Sequence, residues 1–405
     1  METNSTGKTR ELFNEYMMKT YAPAQVFVRG EGAYLFDPEG NRYLDFGTGI
    51  SVCNLGHCHP AVTAAIVKQA GELVHVSNLY MNQAAPRLAQ KLVQSGFDGL
   101  VFLSNSGAEA NEGLIKFARK WGNANGGRNR IICMNDSFHG RTLATLGATG
   151  RSKYRQGFEP DMPGFTHVEF NDLGALKAAI TPDVCAILLE PVQGEGGIIP
   201  AAPGYLQEVR SLCNEHNILL LFDEIQCGMG RMGTLFAHQS YGVVPDAFSL
   251  AKALGNGLPI GAFLVSNKYA GVFTPGTHGS TFGGNAVAAA AALAVLGVMT
   301  APGFLDNVTA LGSFITCRLQ QLVNKYDFVR EIRGRGMMIG VVLDSPAAPL
   351  QEILLKEGLI TLTAGENVLR LLPPLTLTEG ECAEALLKME KGCEAFARLR
   401  LEGKI

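Results

Sequence analysis

The sequence predicts an α/β protein, with a mostly parallel sheet at the centre of a large unit and a smaller α+β unit assembled from both termini. Three features predict it. Short apolar runs alternate with helix-length segments through the middle of the chain, as buried strands joined by crossover helices require. The amino-terminal flank is built instead from short alternating segments divided by turn residues. The side chains able to do chemistry fall just past the ends of the central runs, which is where parallel sheets bind ligands.

From the amino terminus, Ala33-Tyr34-Leu35-Phe36 and Arg42-Tyr43-Leu44-Asp45-Phe46 flank the turn Asp37-Pro38-Glu39-Gly40-Asn41 and read as a small antiparallel piece. Leu100 to Leu103 is the first central strand, followed by a turn and a helical pattern from Ala108 to Lys120. Arg130 to Met134, Ala186 to Leu189, Ile218 to Phe222, Ala247 to Leu250 and Ala262 to Val265 are further strands. Ala286 to Met299 is small and apolar, too short to span a bilayer, and reads as a buried helix. Beyond Ala301 the pattern gives a long helix, then Met337 to Leu343 as a strand, then helices to the end. At 405 residues the chain exceeds one ordinary core, so residues 57–300 are expected to form the large unit, and residues 1–56 with 301–405 the small one.

Composition narrows the function. Net charge is −3, from 34 basic and 37 acidic residues without a block of either sign, which argues against nucleic acid or an anionic membrane as partner. Nine scattered cysteines contain no C-x-x-C pair and read as reduced thiols. Met1 to Arg10 is polar and lacks the apolar core of a secretory signal, so a cytoplasmic location is expected.

Lys252 lies in Ala251-Lys252-Ala253-Leu254-Gly255-Asn256-Gly257, just past one strand, and Asp223 follows Ile218 to Phe222. Either residue alone has an ordinary alternative, a solvated lysine or a helix cap. Together, an amine for a Schiff base and a carboxylate for a pyridinium proton are what pyridoxal phosphate needs. Ser104-Asn105-Ser106-Gly107-Ala108-Glu109 joins a strand to a helix, where free N–H groups and the helix dipole suit a phosphate. Ser106-x-x-Glu109 is equally a capping box that needs no ligand, and a helix start can be both. Phe138 and Arg141, in Ser137-Phe138-His139-Gly140-Arg141, offer a stacking face and a carboxylate fork. Glu190 and Glu195 share a glycine-rich loop, as an acid and base of glycosidase type or as partners for cations. His57-Cys58-His59 lacks a further ligand cluster, so no metal is expected. The chain shows neither a G-x-G-x-x-G loop following a strand and opening a helix nor a P-loop lysine, so dinucleotide and NTPase readings lack their phosphate loops.

Taken in order, Asn105 to Glu112, Phe138 to Arg141, Glu190 to Gly196, Phe222 to Gly228, Lys252 to Gly255 and Gly279 to Asn285 resemble the class III pyridoxal phosphate aminotransferases, over about Tyr21 to Leu375. The resemblance implies pyridoxal phosphate fold type I, the aspartate aminotransferase-like fold, in a homodimer with each site at the subunit interface. It also implies roles. Lys252 would carry the cofactor, Asp223 would face the pyridine nitrogen, Phe138 would stack on the ring and Gln226 would bond its phenolic oxygen. Ser106, Gly107 and Ala108 would contact the phosphate, and Thr281 would reach that of the other subunit. Arg141 would bind the substrate carboxylate with Ser280 nearby, while Glu195 and Arg370 would open and close to admit either an ω-amino substrate or the second carboxylate of 2-oxoglutarate.

Two positions depart from the family pattern: Ala108 stands where threonine is frequent, and Phe282 where tyrosine is frequent. Within the family the likeness is to members acting on acetylornithine and 2-oxoglutarate. Apolar Ile50 stands where ornithine-using members carry a tyrosine that grips the free α-amino group. Succinylornithine, N-succinyl-diaminopimelate, ornithine and γ-aminobutyrate remain alternatives, as do an aminomutase or decarboxylase and a catalytically silent pyridoxal-phosphate-binding protein.

Overall fold

Seven strands make the central sheet of the computed structural model, which describes residues 6–404. Their order across the sheet is Gly99–Ser104, Gly261–Ser266, Ala247–Leu250, Leu219–Asp223, Val184–Leu189, Arg130–Met134 and Phe165–Val168. Gly261–Ser266 runs antiparallel to both neighbours, and the remaining pairings are parallel. Every residue of Val184–Leu189 and Leu219–Asp223 is buried, which explains why these strands read as unbroken apolar runs. Phe165–Val168 escaped the sequence reading because it is a half-buried edge strand interrupted by Thr166 and His167. Helix Gly107–Ala124 covers one face with Leu114, Ile115, Phe117, Ala118 and Trp121.

Helix Ala286–Met299 packs against helices Pro60–Glu72 and Ala84–Gln94, so its apolar surface meets protein. No single helix among the described residues is long and apolar enough to cross a membrane.

The two flanks share a sheet. Tyr34–Phe36 and Arg42–Asp45 pair antiparallel around a turn in which Asp37 accepts from the Asn41 and Gly40 N–H groups, and Leu359–Ile360 joins Leu44–Asp45 in parallel. A second sheet holds Val329–Arg335, Met338–Leu343, Val368–Leu371 and Leu362–Ala364, all antiparallel. The expectation of helices alone after Leu343 is therefore corrected: three strands lie between helices Ala348–Lys356 and Glu379–Leu401. They span two to four residues each, too short to show a period. The polar start of the chain forms helix Thr6–Tyr16, which buries none of its residues; residues 1–5 and 405 lie outside the described residues.

Candidate active site

A cavity of about 380 Å³ opens at the carboxyl ends of Leu219–Asp223 and Ala247–Leu250, against the start of helix Gly107–Ala124. Ser106, Gly107, Ala108, Phe138 and Arg141 line it, together with Asp223, Gln226 and Lys252. A parallel sheet delivers residues from separate strands to one edge in this way.

At the helix start, Ser106 Oγ accepts from the Glu109 N–H at 3.1 Å and the Ser106 carbonyl takes the Ala110 N–H. Glu109 Oε2 reaches past the cap to the Asn105 N–H at 2.6 Å rather than to Ser106, so the capping box is half formed. These bonds leave the N–H groups of Gly107 and Ala108 for the cavity. A Cβ on Gly107 would stand 2.9 Å from Ile225 Cδ1, so a larger residue there would have to displace the Ile225 side chain.

Asp223 ends its strand inside a polar cluster. Its Oδ2 accepts from Asn111 Nδ2 at 2.7 Å and His139 Nδ1 at 2.8 Å, and its Oδ1 from the Ile225 N–H at 3.0 Å. Asn111 also donates to the His139 carbonyl and accepts from Ser249 Oγ, both at 2.7 Å. Since the carboxylate only accepts, His139 carries its proton on Nδ1, and its Nε2 is left without a partner. Sequence reasoning named neither Asn111 nor His139 as a site residue. Asn111 lies one helical turn from Gly107 and Ala108, a spacing that could have found it.

Lys252 has a φ of 40°, in the left-handed region, a conformation that non-glycine residues keep only where surroundings enforce it. Burial holds its amine below the usual lysine range; the Glu195 charge opposes that shift and the Arg370 charge adds to it. Glu190 accepts from the N–H groups of Phe138 (3.0 Å) and Gly194 (3.2 Å). Burial, and after it the Asp223 charge, push its carboxyl up to about 7 against the pull of His139.

Glu195 makes a 2.5 Å ion pair with Arg370, whose side chain is 3% exposed, so of the two readings of this loop the cation partner holds for Glu195. Burial pushes the Glu195 carboxyl up, but the charge and hydrogen bond of Arg370, with Lys252 and Arg151 beyond, hold it below the usual range. Arg370 Nη1 also donates to Gln226 Oε1 at 3.2 Å. Gly194 permits that crowding: a Cβ there would lie 2.3 Å from Gln226 Oε1.

Arg141 is exposed and lies 4.0 Å over the ring of Tyr154, a residue absent from the sequence reading, which also meets Phe138 edge-on at 6.0 Å. Glu195, Arg370, Ser280, Thr281 and Ile50 do not line this cavity, and the Glu195–Arg370 pair meets it through Gln226. Ser280 Oγ accepts from Asn105 Nδ2 at 3.3 Å, Thr281 is exposed, and Ile50 is 39% exposed with a φ of 67°. Gly228-Met229-Gly230-Arg231-Met232-Gly233 carries G-x-G-x-x-G spacing, but it lies in a turn-rich segment that opens no helix. Among the described residues no cluster of His, Cys, Asp or Glu could hold a metal.

The donors present fit pyridoxal phosphate: two free N–H groups at a helix start for the phosphate, a buried carboxylate for the pyridine nitrogen, an aromatic side chain for the ring and a lysine for the aldehyde. The Aminotransferase class-III family pattern matches residues 16–392, and the chain belongs to that family. It is a pyridoxal-phosphate-dependent aminotransferase of fold type I. An acetylornithine aminotransferase of Gloeobacter violaceus is 48% identical, over 96% of this chain and 98% of its own. A succinylornithine transaminase/acetylornithine aminotransferase of Pseudomonas aeruginosa is 47% identical, over 95% and 97%. The ornithine aminotransferase structure from Toxoplasma gondii superposes with a TM-score of 0.94 at 34% identity, covering 98% of this chain and 96% of that one.

Proposed function

We propose that the enzyme moves the distal amino group of N2-acetyl-L-ornithine to 2-oxoglutarate, giving N-acetyl-L-glutamate 5-semialdehyde and L-glutamate, as in arginine biosynthesis. The observation that carries this reading is the pairing of half-buried Glu195 with the buried Arg370. Two substrates differing by one carboxylate must share a site, and an arginine neutralised by a movable carboxylate serves both. When bound, pyridoxal phosphate supplies an aldehyde that takes the amino group and a ring that withdraws electrons from the reacting carbon. Asp223, oriented by Asn111 and His139, holds the proton on the ring nitrogen. Lys252 Nζ takes the proton from the substrate carbon as base and, as acid, would deliver it to the carbon of the cofactor's aldehyde group, a role suited to an amine whose basicity burial has lowered. Arg141 binds the substrate carboxylate, with Ser280 nearby. Phe138 would stack on the ring, Gln226 would bond its phenolic oxygen, and Ser106, Gly107 and Ala108 would hold the phosphate.

The same reading includes a cytoplasmic homodimer, in which the exposed Thr281 serves the cofactor of the partner subunit, and the division into residues 57–300 and the paired flanks. Apolar Ile50 offers no partner to the free α-ammonium of ornithine, whereas an acetylated nitrogen carries no charge. A succinylated donor is the second reading, supported by the name of the Pseudomonas relative. The test compares catalytic efficiencies for acetylornithine, succinylornithine, N-succinyl-diaminopimelate, ornithine and γ-aminobutyrate at fixed 2-oxoglutarate. Acetylornithine should lead; an unacylated amine used equally well would refute the specificity.

A further inference from the structure

Arg231 heads the fully buried side chains, at 0% exposure. Its Nε donates to Ser51 Oγ at 3.1 Å, its Nη1 to the carbonyls of Met337 (3.2 Å) and Pro373 (2.5 Å), and its Nη2 to Asn54 Oδ1. All four acceptors are neutral. Burying a charge without a counter-ion is unfavourable, so these bonds must hold it, and a planar fork of five donors can serve acceptors from several segments at once where an ammonium cannot.

The segments it gathers are the two sides of the Gln226–Arg370 contact. Pro373 stands three residues past Arg370. Its neighbour Leu372 is pinned on both sides, with its N–H on the Phe46 carbonyl at 2.6 Å and its carbonyl on Thr48 Oγ1 at 2.8 Å. On the other side, Ser51 Oγ lies 3.2 Å from the backbone carbonyl of Gln226, the residue whose Oε1 takes Arg370 Nη1. Ser51 ends a run of four residues with positive φ: Thr48 at 46°, Gly49 at 62°, Ile50 at 67° and Ser51 at 60°. Three of them carry a side chain, so this left-handed turn persists only because its neighbours over-determine it. The Arg231 guanidinium is where those restraints converge.

We propose that Arg231 is a positioning residue for acceptor selection: through Pro373 and Ser51 it sets the spacing of Arg370 and Gln226, and so the preference for a dicarboxylic over a monocarboxylic 2-oxo acid. This rests on the reading of Arg370 as the group that receives the second carboxylate.

The test uses Arg231→Lys and Ser51→Ala as holoenzymes, comparing kcat/KM for 2-oxoglutarate with that for pyruvate, which has no second carboxylate, with one amino donor. Lost stability or cofactor lowers both values alike and leaves their ratio unchanged. Misplacing a binding group by about 1 Å can cost about 10²-fold, so the ratio should fall about tenfold or more in Arg231→Lys, and in the same direction but less in Ser51→Ala. An unchanged ratio in folded variants overturns the proposal, and if Arg231→Lys does not fold, Ser51→Ala alone decides. A wild-type ratio near one would instead remove the reading of Arg370 itself, and the proposal with it.

Discussion

Replacing Glu195 by alanine leaves the Arg370 guanidinium buried without its counter-ion. Arg370 is 3% exposed and Glu195 22%, and its remaining partner is the neutral Gln226 Oε1. Removing one partner of a buried ion pair costs about 3–5 kcal/mol; the partial exposure of Glu195 admits water, so the lower end, about 3 kcal/mol, applies. A ligand that sets a carboxylate on Arg370 recovers part of that cost. At about 1.4 kcal/mol per tenfold, 2-oxoglutarate should bind the aminated Glu195→Ala enzyme more tightly by up to about 10²-fold. The acetylornithine half-reaction should weaken, because its acetamide brings no charge to Arg370. The assay is single turnover of each half-reaction at varied substrate, reading the apparent dissociation constant from the visible absorbance of the cofactor. Unchanged or weaker 2-oxoglutarate binding in a folded variant would refute the account of the pair.

Lys252→Ala should abolish transamination and the visible absorbance of the lysine-bound cofactor, while circular dichroism shows an intact fold; turnover within tenfold of the parent would contradict this. Asp223→Asn turns an amide N–H toward a donor, Asn111 and His139 on one side or Ile225 on the other. Removing a preorganised electrostatic group of this kind costs about 10²–10³ in rate, so the first half-reaction should slow to that extent in single turnover. His57 bonds Asp45 Oδ2 at 2.8 Å; burial pulls its pKa down, but the hydrogen bonds its ring donates to Asp45 and Cys53 outweigh that and raise it to about 10. A histidine raised from 6.5 stabilises the fold fully below that pH and loses the contribution as pH climbs through about 10. Denaturant midpoints of wild type should therefore fall over that window, and those of His57→Asn should fall less.

Asp223 and Lys252 were legible because each follows an apolar run that ends abruptly in a polar residue, the pattern a buried parallel strand leaves in sequence. The helix start at Ser106 was legible for a similar local reason, its capping residue standing before glycine. Asn111 and His139 were not, because their importance lies in meeting Asp223 from two other elements, 112 and 84 residues away in sequence. Tyr154 and Arg231 sit in segments whose local pattern says only turn or short helix. The short strands after Leu343 failed because tertiary pairing, rather than their own sequence, holds them extended.

The strand order carries a consequence for how the chain comes to be made. Gly99–Ser104 is an edge strand whose partner, Gly261–Ser266, is translated about 160 residues later. At about 5–20 residues per second a ribosome needs on the order of 10–30 s to supply it, and until then an apolar ribbon with open hydrogen-bonding groups waits on the nascent chain. Because that late strand enters antiparallel between the first strand and the one carrying the segment to Lys252, the catalytic lysine and the phosphate-binding helix start are joined to one sheet by a single insertion near the end of its assembly.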